Sequence, residues 1–239
     1  MIEKLLMKLS ARDEVSAEEA AALRDAVGDP VDIPADRTVI RVGQDLNEST
    51  LLVEGLMCRY KDLRDGGRQI SELNIAGDFV DLHSFTLKRL DHNIMTLTPC
   101  RIAPAPHEKL KRLTEQFPHL TRLLWFSTNL DAAIHREWML SLGRRTAVAR
   151  TAHLFCELFY RFGLIGMTEG DSYQLPITQT DLAECLGLTA VHVNRTLKVL
   201  REQGLVEFRG GTVTINDMDG LKRVAEFSPT YLSLEKRPR

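Results

Sequence analysis

A group of side chains suited to nucleic-acid binding lies within residues 190–201. The group comprises His192, Asn194, Arg195, Lys198 and Arg201. At 3.6 residues per turn these positions fall toward one side of a helix, while Val193, Leu197 and Leu200 point inward. An arginine can donate two hydrogen bonds to guanine, and an asparagine amide can pair with adenine. The spacing therefore predicts a helix that presents base-reading groups to the major groove of DNA.

A second helix and a tight turn precede this segment. Thr178 predicts an N-cap, and Asp181 stands three residues later, close to a capping box. Gly187 can take the positive φ of a sharp turn, after which Thr189 can cap the second helix. Ala183 and Val193 supply the small residue and the buried anchor that closely packed helices need. Together these residues predict a helix-turn-helix, although an ordinary helical hairpin with a solvated polar face would share the pattern.

The residues that follow favour the DNA-binding interpretation. Gly204 ends the second helix, and residues 205–215 alternate around Gly210 and Gly211 as a two-stranded hairpin does. Two helices followed by a hairpin predict a winged helix-turn-helix. In such a domain the hairpin brings backbone amides and a basic residue, here Arg209, near DNA phosphates.

Composition is compatible with a two-domain protein of this kind. The chain has 239 residues, of which 44% are hydrophobic and 27% charged, and its net charge is -2. Any basic surface must therefore be local, and Arg144, Arg145 and Arg150 add to the arginines and lysines of the reader segment. Neither an apolar run of membrane-spanning length nor a signal-peptide pattern occurs. We expect a cytoplasmic protein with no membrane partner.

The rest of the chain predicts an α+β fold in three parts. Residues 1–117 hold a helical lead-in followed by short strands around the RDGGR turn of residues 64–68, which predicts a β-roll. Residues 118–142 form one long helix that opens on Pro118, with Gly143 as a candidate hinge. Residues 143–239 contain the winged helix-turn-helix. We assign these parts as a sensor domain, a dimerisation helix and a DNA-binding domain.

Apolar residues recur every three or four positions along the long helix. They are Leu123, Phe126, Leu130, Ala133, Ile134, Trp138 and Leu142. A stripe over about six turns extends beyond a small domain, so a partner helix is the predicted cover. The predicted dimer interface comprises Leu123, Phe126, Leu130, Ile134 and Trp138. In the alternative, the stripe packs on its own β-roll.

The order of β-roll, long helix and winged helix-turn-helix resembles the Crp/Fnr family of bacterial transcription regulators. The resemblance covers nearly the whole chain. Its most specific part is residues 177–215, and AGDFVDL (residues 76–82) and the RDGGR hairpin are similar to the family's β-roll, which resembles a cyclic-nucleotide-binding domain. The resemblance implies a homodimer on a two-fold symmetric site of double-stranded DNA. RNA polymerase is a further partner that activation would require.

The resemblance also assigns roles to residues of the reader segment. Arg195 takes the position of the family's guanine-reading arginine, and His192 and Asn194 lie within a turn of it. Val191 replaces a glutamate of the best-known members and offers apolar contact, for instance to a thymine methyl, so the half-site should differ. The predicted phosphate-contacting residues are Thr178, Gln179, Thr180, Thr189, Lys198 and Arg209.

The sensor region departs from the cyclic-AMP-binding members. A candidate effector pocket comprises Gly77, Asp78, Phe79, His83 and Arg89. The arginine followed by serine or threonine that clamps a cyclic phosphate is missing, which argues against cyclic AMP.

The sequence also argues against an iron-sulfur cluster and gives little indication of haem. An oxygen-sensing iron-sulfur cluster needs four thiolates, whereas residues 1–57 contain no cysteine and Cys100 alone matches a ligand position. Haem ligation by His83 or His92 stays an alternative, and the cofactor is otherwise unknown.

The sequence argues against two other classes of function. An enzyme is not expected, because the chain has no nucleophile beside a base, no glycine-rich phosphate loop and no histidine pair at metal-ligand spacing. A cyclic-nucleotide-type sensor that acts through protein partners rather than DNA is the alternative function, and the complete winged helix argues against it.

Overall fold

The computed structural model describes residues 1–239. The chain opens with two helices, α1 (Glu3–Ser10) and α2 (Ala17–Ala26). Ser16 begins α2 with a capping box, in which its hydroxyl accepts from the Glu19 amide and the Glu19 carboxylate accepts from the Ser16 amide. The predicted helical lead-in is therefore present as two short helices.

Seven strands follow, and they form two antiparallel sheets. The strands are β1 (Val31–Ile33), β2 (Thr38–Ile40), β3 (Glu48–Glu54), β4 (Leu56–Asp62), β5 (Arg68–Ile75), β6 (Asn93–Thr96) and β7 (Cys100–Pro106), with a short helix α3 (Ser84–Leu87) between β5 and β6. One sheet has the order β1-β7-β3 and the other the order β2-β6-β4-β5. Leu52 and Ile102 of the first sheet share a buried cluster with Met57 and Ile94 of the second, so the sheets enclose a common core.

Three helices continue the chain. They are α4 (His107–Gln116), α5 (Pro118–Arg144) and α6 (Ala147–Gly163). Gly143 lies inside α5 and is not the break predicted from the sequence. The chain turns instead at Arg145 and Thr146, where the Thr146 hydroxyl caps α6 by accepting from the Ala149 amide at 3.2 Å.

The C-terminal part contains the remaining helices and a third sheet. Its elements are β8 (Thr168–Glu169), β9 (Ser172–Gln174), α7 (Gln179–Leu186), α8 (Ala190–Glu202), β10 (Val206–Arg209), β11 (Thr212–Ile215), α9 (Met218–Ala225) and a 3-10 turn (Pro229–Leu232). The sheet order is β10-β11-β9-β8. Strands β8 and β9 form a hairpin, which joins the wing through the pairing of Tyr173 with Val213 of β11.

The chain forms two compact units. The first contains residues 1–61, 73–133 and 233–239, and the second contains residues 62–72 and 134–232. The boundary thus falls within α5, and the tip of the β4–β5 hairpin belongs to the second unit. The division into residues 1–117, 118–142 and 143–239 stays a prediction. None of the helices combines the length and the apolar character needed to cross a membrane.

Candidate nucleic-acid interface

Helix α7 and the turn after it are built by local interactions. Thr178 accepts a hydrogen bond from the Asp181 amide, and the Asp181 carboxylate accepts from the Thr178 amide at 2.9 Å, which completes a capping box. Gly187 ends the helix with φ of 58°, a conformation that a side chain disfavours. Thr189 then caps α8 by accepting from the His192 amide. The sequence predicted each of these features.

Helix α8 packs one side against the domain and leaves the other in solvent. Val193 and Leu200 are fully buried, and Thr196 is buried with its hydroxyl donated to the His192 carbonyl. The opposite side is exposed and carries Val191, His192, Asn194, Arg195, Lys198 and Arg201. Val191 is 61% exposed, although it is apolar. An exposed valine beside exposed basic groups fits a surface that is covered only when a ligand binds.

The predicted base-reading residues occupy neighbouring positions on this surface. Asn194 and Arg195 engage no other protein group through their side chains, and Lys198 lies 3.7 Å from Glu202 in an exposed ion pair. The guanidinium and the amide are therefore available to an external partner. Thr178, Gln179, Thr180 and Thr189 are also exposed, at the starts of α7 and α8. Backbone amides at a helix start suit phosphate oxygens.

Strands β10 and β11 form the predicted wing. Val206 pairs with Ile215 and Arg209 with Thr212, and both turn glycines, Gly210 and Gly211, have positive φ. Arg209 extends into solvent, where its guanidinium lies 3.4 Å from Glu207. Arg209 is thus exposed beside the tip of the hairpin, and its contact with a DNA phosphate stays a prediction.

Sequence reasoning missed the arginine that fixes α7. Arg68, next to the tip of the β4–β5 hairpin, forms ion pairs with Asp181 at 2.8 Å and with Glu184. Gln69 adds a hydrogen bond from its amide to the Glu184 carbonyl at 2.7 Å. Two acidic groups of the DNA-facing domain are thereby compensated by one guanidinium. The RDGGR pattern indicated a turn, but no local signal could show what its last arginine would contact.

Two arginines assigned to a basic surface have structural roles instead. Arg150 donates to the carbonyls of Leu142, at 3.0 Å, and Leu186, and so satisfies the C-terminal ends of α5 and α7. Arg145 donates to the Ser141 hydroxyl at 2.6 Å and to Glu137. Unpaired carbonyls at helix ends need such donors. Of the three arginines that precede the reader helices, only Arg144 is exposed.

Comparisons with known proteins agree with this geometry. The sequence model of the Crp-like helix-turn-helix domain matches residues 149–224. The transcriptional activator protein FnrL of Cereibacter sphaeroides is 31% identical over 182 residues, covering 74% of this chain and 71% of FnrL. The nitrogen fixation regulation protein FixK of Bradyrhizobium diazoefficiens is 30% identical over 210 residues, covering 84% of this chain and 85% of FixK. This chain belongs to the Crp/Fnr family of transcription regulators.

Solved structures of other proteins have the same architecture as this Crp/Fnr regulator. The structure of FixK2 from Bradyrhizobium japonicum matches with a TM-score of 0.76 at 23% identity, covering 84% of this chain and 99% of FixK2. The c-di-GMP-responsive regulator CLP of Xanthomonas campestris matches with a TM-score of 0.65 at 18% identity, covering 84% of this chain and 99% of CLP. The α+β fold with an N-terminal β-roll and a C-terminal winged helix-turn-helix is thus confirmed. The protein is a DNA-binding transcription regulator, and the alternative of a sensor that acts only through protein partners is not supported.

The five residues of the predicted effector pocket do not all lie at one site in this Crp/Fnr regulator. Gly77, Asp78 and Phe79 line a cavity beside α1, whereas His83 and Arg89 do not reach it. Arg89 instead pairs with Asp45 on the surface through hydrogen bonds of 2.5 and 2.8 Å. A loop as long as residues 77–89 can place its two ends on different surfaces, and here α3 intervenes.

Gly77 has a steric role that the sequence did not reveal. Its φ is +86°, and an added Cβ would lie 2.7 Å from the backbone carbon of Lys4. The close approach of α1 to this turn therefore requires glycine. The same approach brings Lys8 to Asp78, with Nζ and Oδ1 2.5 Å apart.

The candidate ligands for haem or a metal are dispersed or buried in this Crp/Fnr regulator. The rings of His83 and His92 are tilted by 36° with centroids 5.4 Å apart, and His92 Nδ1 donates to the Asp91 carboxylate at 2.9 Å. Burial lowers the pKa of His92. All four cysteines are buried, and burial raises the pKa of the Cys100 thiol. No cluster of three or more histidine, cysteine or acidic side chains is arranged to hold a metal ion.

Most of the apolar stripe of α5 is covered within the chain itself. Leu123, Ile134 and Trp138 are buried, and Phe126 and Leu130 are partly buried. The Trp138 indole donates to the buried Glu157 carboxylate at 3.2 Å. The expectation that a partner helix covers this stripe is therefore wrong for the three buried residues. The apolar residues that α5 leaves exposed are Trp125, Met139 and Leu140.

Proposed function

We propose that this regulator reads duplex DNA with α8 and binds a two-fold symmetric site as a homodimer. Arg195 would donate to a guanine, with Asn194, His192 and Val191 contacting neighbouring bases. The observation that carries the proposal is the exposed side of α8, where Asn194 and Arg195 are engaged by no other protein group while Val193 and Leu200 anchor the helix from behind. Such an arrangement presents rigid, available donors at the position that a major groove would occupy.

Phosphate contacts would fix the register of this complex. Thr178, Gln179, Thr180 and Thr189 lie at two helix starts, and Lys198 and Arg209 add positive charge on α8 and the wing. These groups carry no sequence information, but they make affinity depend on salt concentration. We expect a cytoplasmic protein because it binds duplex DNA. Activation of transcription, the role of the similar protein FnrL, would add a contact with RNA polymerase.

The homodimer would form through the exposed side of α5. Trp125, Asn129, Ala132, Arg136 and Met139 are exposed and follow one another at intervals of four and three residues. This alternation is typical of the seam between two paired helices. These positions differ from the stripe predicted from the sequence, because the chain itself buries Leu123, Ile134 and Trp138 of that stripe.

An Arg195→Ala variant tests the reading role. Binding sequences are first selected from random duplex DNA, and affinity for the selected site and for a scrambled site is then measured at fixed salt. We expect the variant to lose specific affinity by about 1–3 kcal/mol, because a bidentate contact to guanine is removed. Non-specific affinity should fall much less.

The exposed Arg41→Ala variant, outside the DNA-binding domain, is the matched control and should bind both DNAs as the parent does. Equal discrimination by Arg195→Ala and the parent protein would refute the assignment of Arg195. Selection of a site without two-fold symmetry would refute the homodimer on DNA.

A further inference from the structure

The first helix of the helix-turn-helix combines two features that oppose each other. Helix α7 begins at two exposed residues, Gln179 and Thr180, whose backbone amides have no acceptor within the helix. The proposed phosphate contact would form at these amides. Asp181 lies in the same turn, and its carboxylate accepts from the Thr178 amide at 2.9 Å to complete the cap. The cap therefore places a negative charge beside a site for a negatively charged ligand.

The negative charge of α7 lies close enough to repel a bound phosphate. A phosphate oxygen bound to the Gln179 amide would lie within about 9 Å of the Asp181 carboxylate, because neighbouring Cα atoms are only about 3.8 Å apart. This separation is shorter than the Debye length of about 10 Å at 0.1 M salt, so solvent ions screen the repulsion only in part. Glu184 lies three residues further along α7 and adds a second carboxylate. Without compensation, these acids would weaken phosphate binding.

Arg68 pairs with both carboxylates from outside the helix. It begins β5, and residues 62–72 belong to the same unit as α7. Its guanidinium donates to Asp181 at 2.8 Å and also pairs with Glu184. The side chains of Arg68 and Asp181 are only 22% and 7% exposed, so salt screens this pair less than it screens a surface pair. Gln69 donates to the Glu184 carbonyl at 2.7 Å and holds the start of β5 against α7.

We infer that Arg68 is a positioning residue for DNA binding, which neutralises the acids of α7 and so allows the start of that helix to bind a phosphate. The guanidinium would act through Asp181 and Glu184 rather than through a contact with DNA. The inference rests on the proposed function, because it concerns the proposed phosphate contact at Gln179 and Thr180. It gives Arg68 a role in affinity but none in base reading, since α8 carries the proposed base-reading groups.

The test compares affinities of the full-length protein for the duplex selected from random DNA and for a scrambled duplex, at about 50 and 200 mM salt. We expect Arg68→Gln to bind both duplexes about three- to tenfold more weakly at the lower salt, because repulsion from two uncompensated carboxylates then acts on the phosphate. The loss should shrink at the higher salt, where the repulsion is screened. The ratio of the two affinities should stay that of the parent protein.

Arg64→Gln is the matched control, because it removes the same charge from an exposed position of the same hairpin. It should bind both duplexes as the parent does. A triple variant with Arg68→Gln, Asp181→Asn and Glu184→Gln separates charge from structure, since it lacks both ion pairs and both carboxylates. Asparagine keeps an oxygen that can accept from the Thr178 amide, so the cap is retained. The triple variant should recover the parental affinity at the lower salt, whereas a purely structural role of the ion pairs predicts no recovery.

Three results would overturn the inference while leaving the proposed function intact. They are parental affinity of Arg68→Gln at the lower salt, a loss of affinity that the higher salt does not reduce, and a triple variant that binds no better than Arg68→Gln. In each case the parent protein would still discriminate between the two duplexes. Failure of the parent to bind either duplex would instead overturn the proposed function, and this inference with it.

Discussion

His119 lies in the first turn of α5 between two acidic side chains of the N-terminal segment. Its Nδ1 is 2.7 Å from Glu19 and its Nε2 is 3.1 Å from Asp13. The hydrogen bond with Asp13, supported by Glu19, holds the pKa of His119 above its ordinary value. Burial acts to raise the pKa of Asp13 and Glu19, but hydrogen bonds from His119 and backbone amides outweigh it and lower both. The three groups thus favour one another's charged forms.

This cluster predicts a pH-dependent contribution to stability. Because the pKa of His119 is raised by folding, its contribution is complete below the unfolded value of about 6.5 and is lost as the pH rises through the folded value. Asp13 and Glu19 stabilise the fold fully at a pH above the pKa that each has in the unfolded chain. This stabilisation is lost as the pH falls through their lowered pKa values in the folded protein. We therefore expect His119→Gln to reduce the thermal unfolding midpoint more at pH 6 than at pH 9.

His192→Gln is the control, since it removes an exposed imidazole that lies on α8 and not in this cluster. Its effect on the unfolding midpoint should be small at both pH values. A deficit in His119→Gln that is the same at pH 6 and pH 9 would contradict the ionic role of His119.

The turn between α7 and α8 sets the angle at which the reader helix leaves the domain. Gly187 combines φ of +58° with close packing, since an added Cβ would lie 3.1 Å from Leu142 Cδ2. Gly204 follows α8 and has φ of +70°, but no atom lies within 4 Å of the position that an added Cβ would take. A side chain at Gly204 would therefore cause backbone strain alone, whereas one at Gly187 would cause backbone strain and a steric contact.

Substitution of each glycine by alanine tests this distinction. Both variants should lose about 1–2 kcal/mol of stability from the left-handed conformation, and Gly187→Ala should lose more because Leu142 must also move. Denaturant unfolding of the two variants provides the measurement. Equal losses would show that the contact with Leu142 relaxes freely. Gly187→Ala should also weaken DNA binding more than Gly204→Ala, because the displacement occurs directly before α8.

Assembly of the whole molecule is predicted to depend on the exposed side of α5. Ala132 lies in the middle of that side and is exposed, so glutamate should be tolerated there by an isolated chain. In a symmetric helix pair two such glutamates would face each other without solvent. We expect Ala132→Glu to sediment as a monomer under conditions in which the parent protein is a dimer.

Ala21→Glu is the matched control for this experiment, because it places the same change at an exposed position of α2. It should leave the sedimentation coefficient of the parent unchanged. A dimer that persists in Ala132→Glu would exclude this side of α5 as the interface. Ile134 is unsuitable for such a test, since a charge at that buried position would disturb the fold of the chain itself.

Local signals were sufficient for the reader helices and the wing. The cap at Thr178, the turn at Gly187 and the hairpin around Gly210 each depend on residues three or four positions apart, which the sequence displays directly. The exposed positions of Asn194 and Arg195 followed from helical periodicity for the same reason. The family resemblance rested on these motifs, and the comparisons with FnrL and FixK confirmed it.

Long-range packing determined the features that the sequence did not predict. Periodicity identified the apolar stripe of α5, but only the arrangement of distant segments could show that the chain buries Leu123, Ile134 and Trp138 and exposes Trp125 and Met139. The pairing of Arg68 with Asp181 joins residues more than a hundred positions apart. Sequence periodicity shows which side of a helix is apolar. It does not show what covers that side, because the covering residues are distant in the sequence and produce no local pattern.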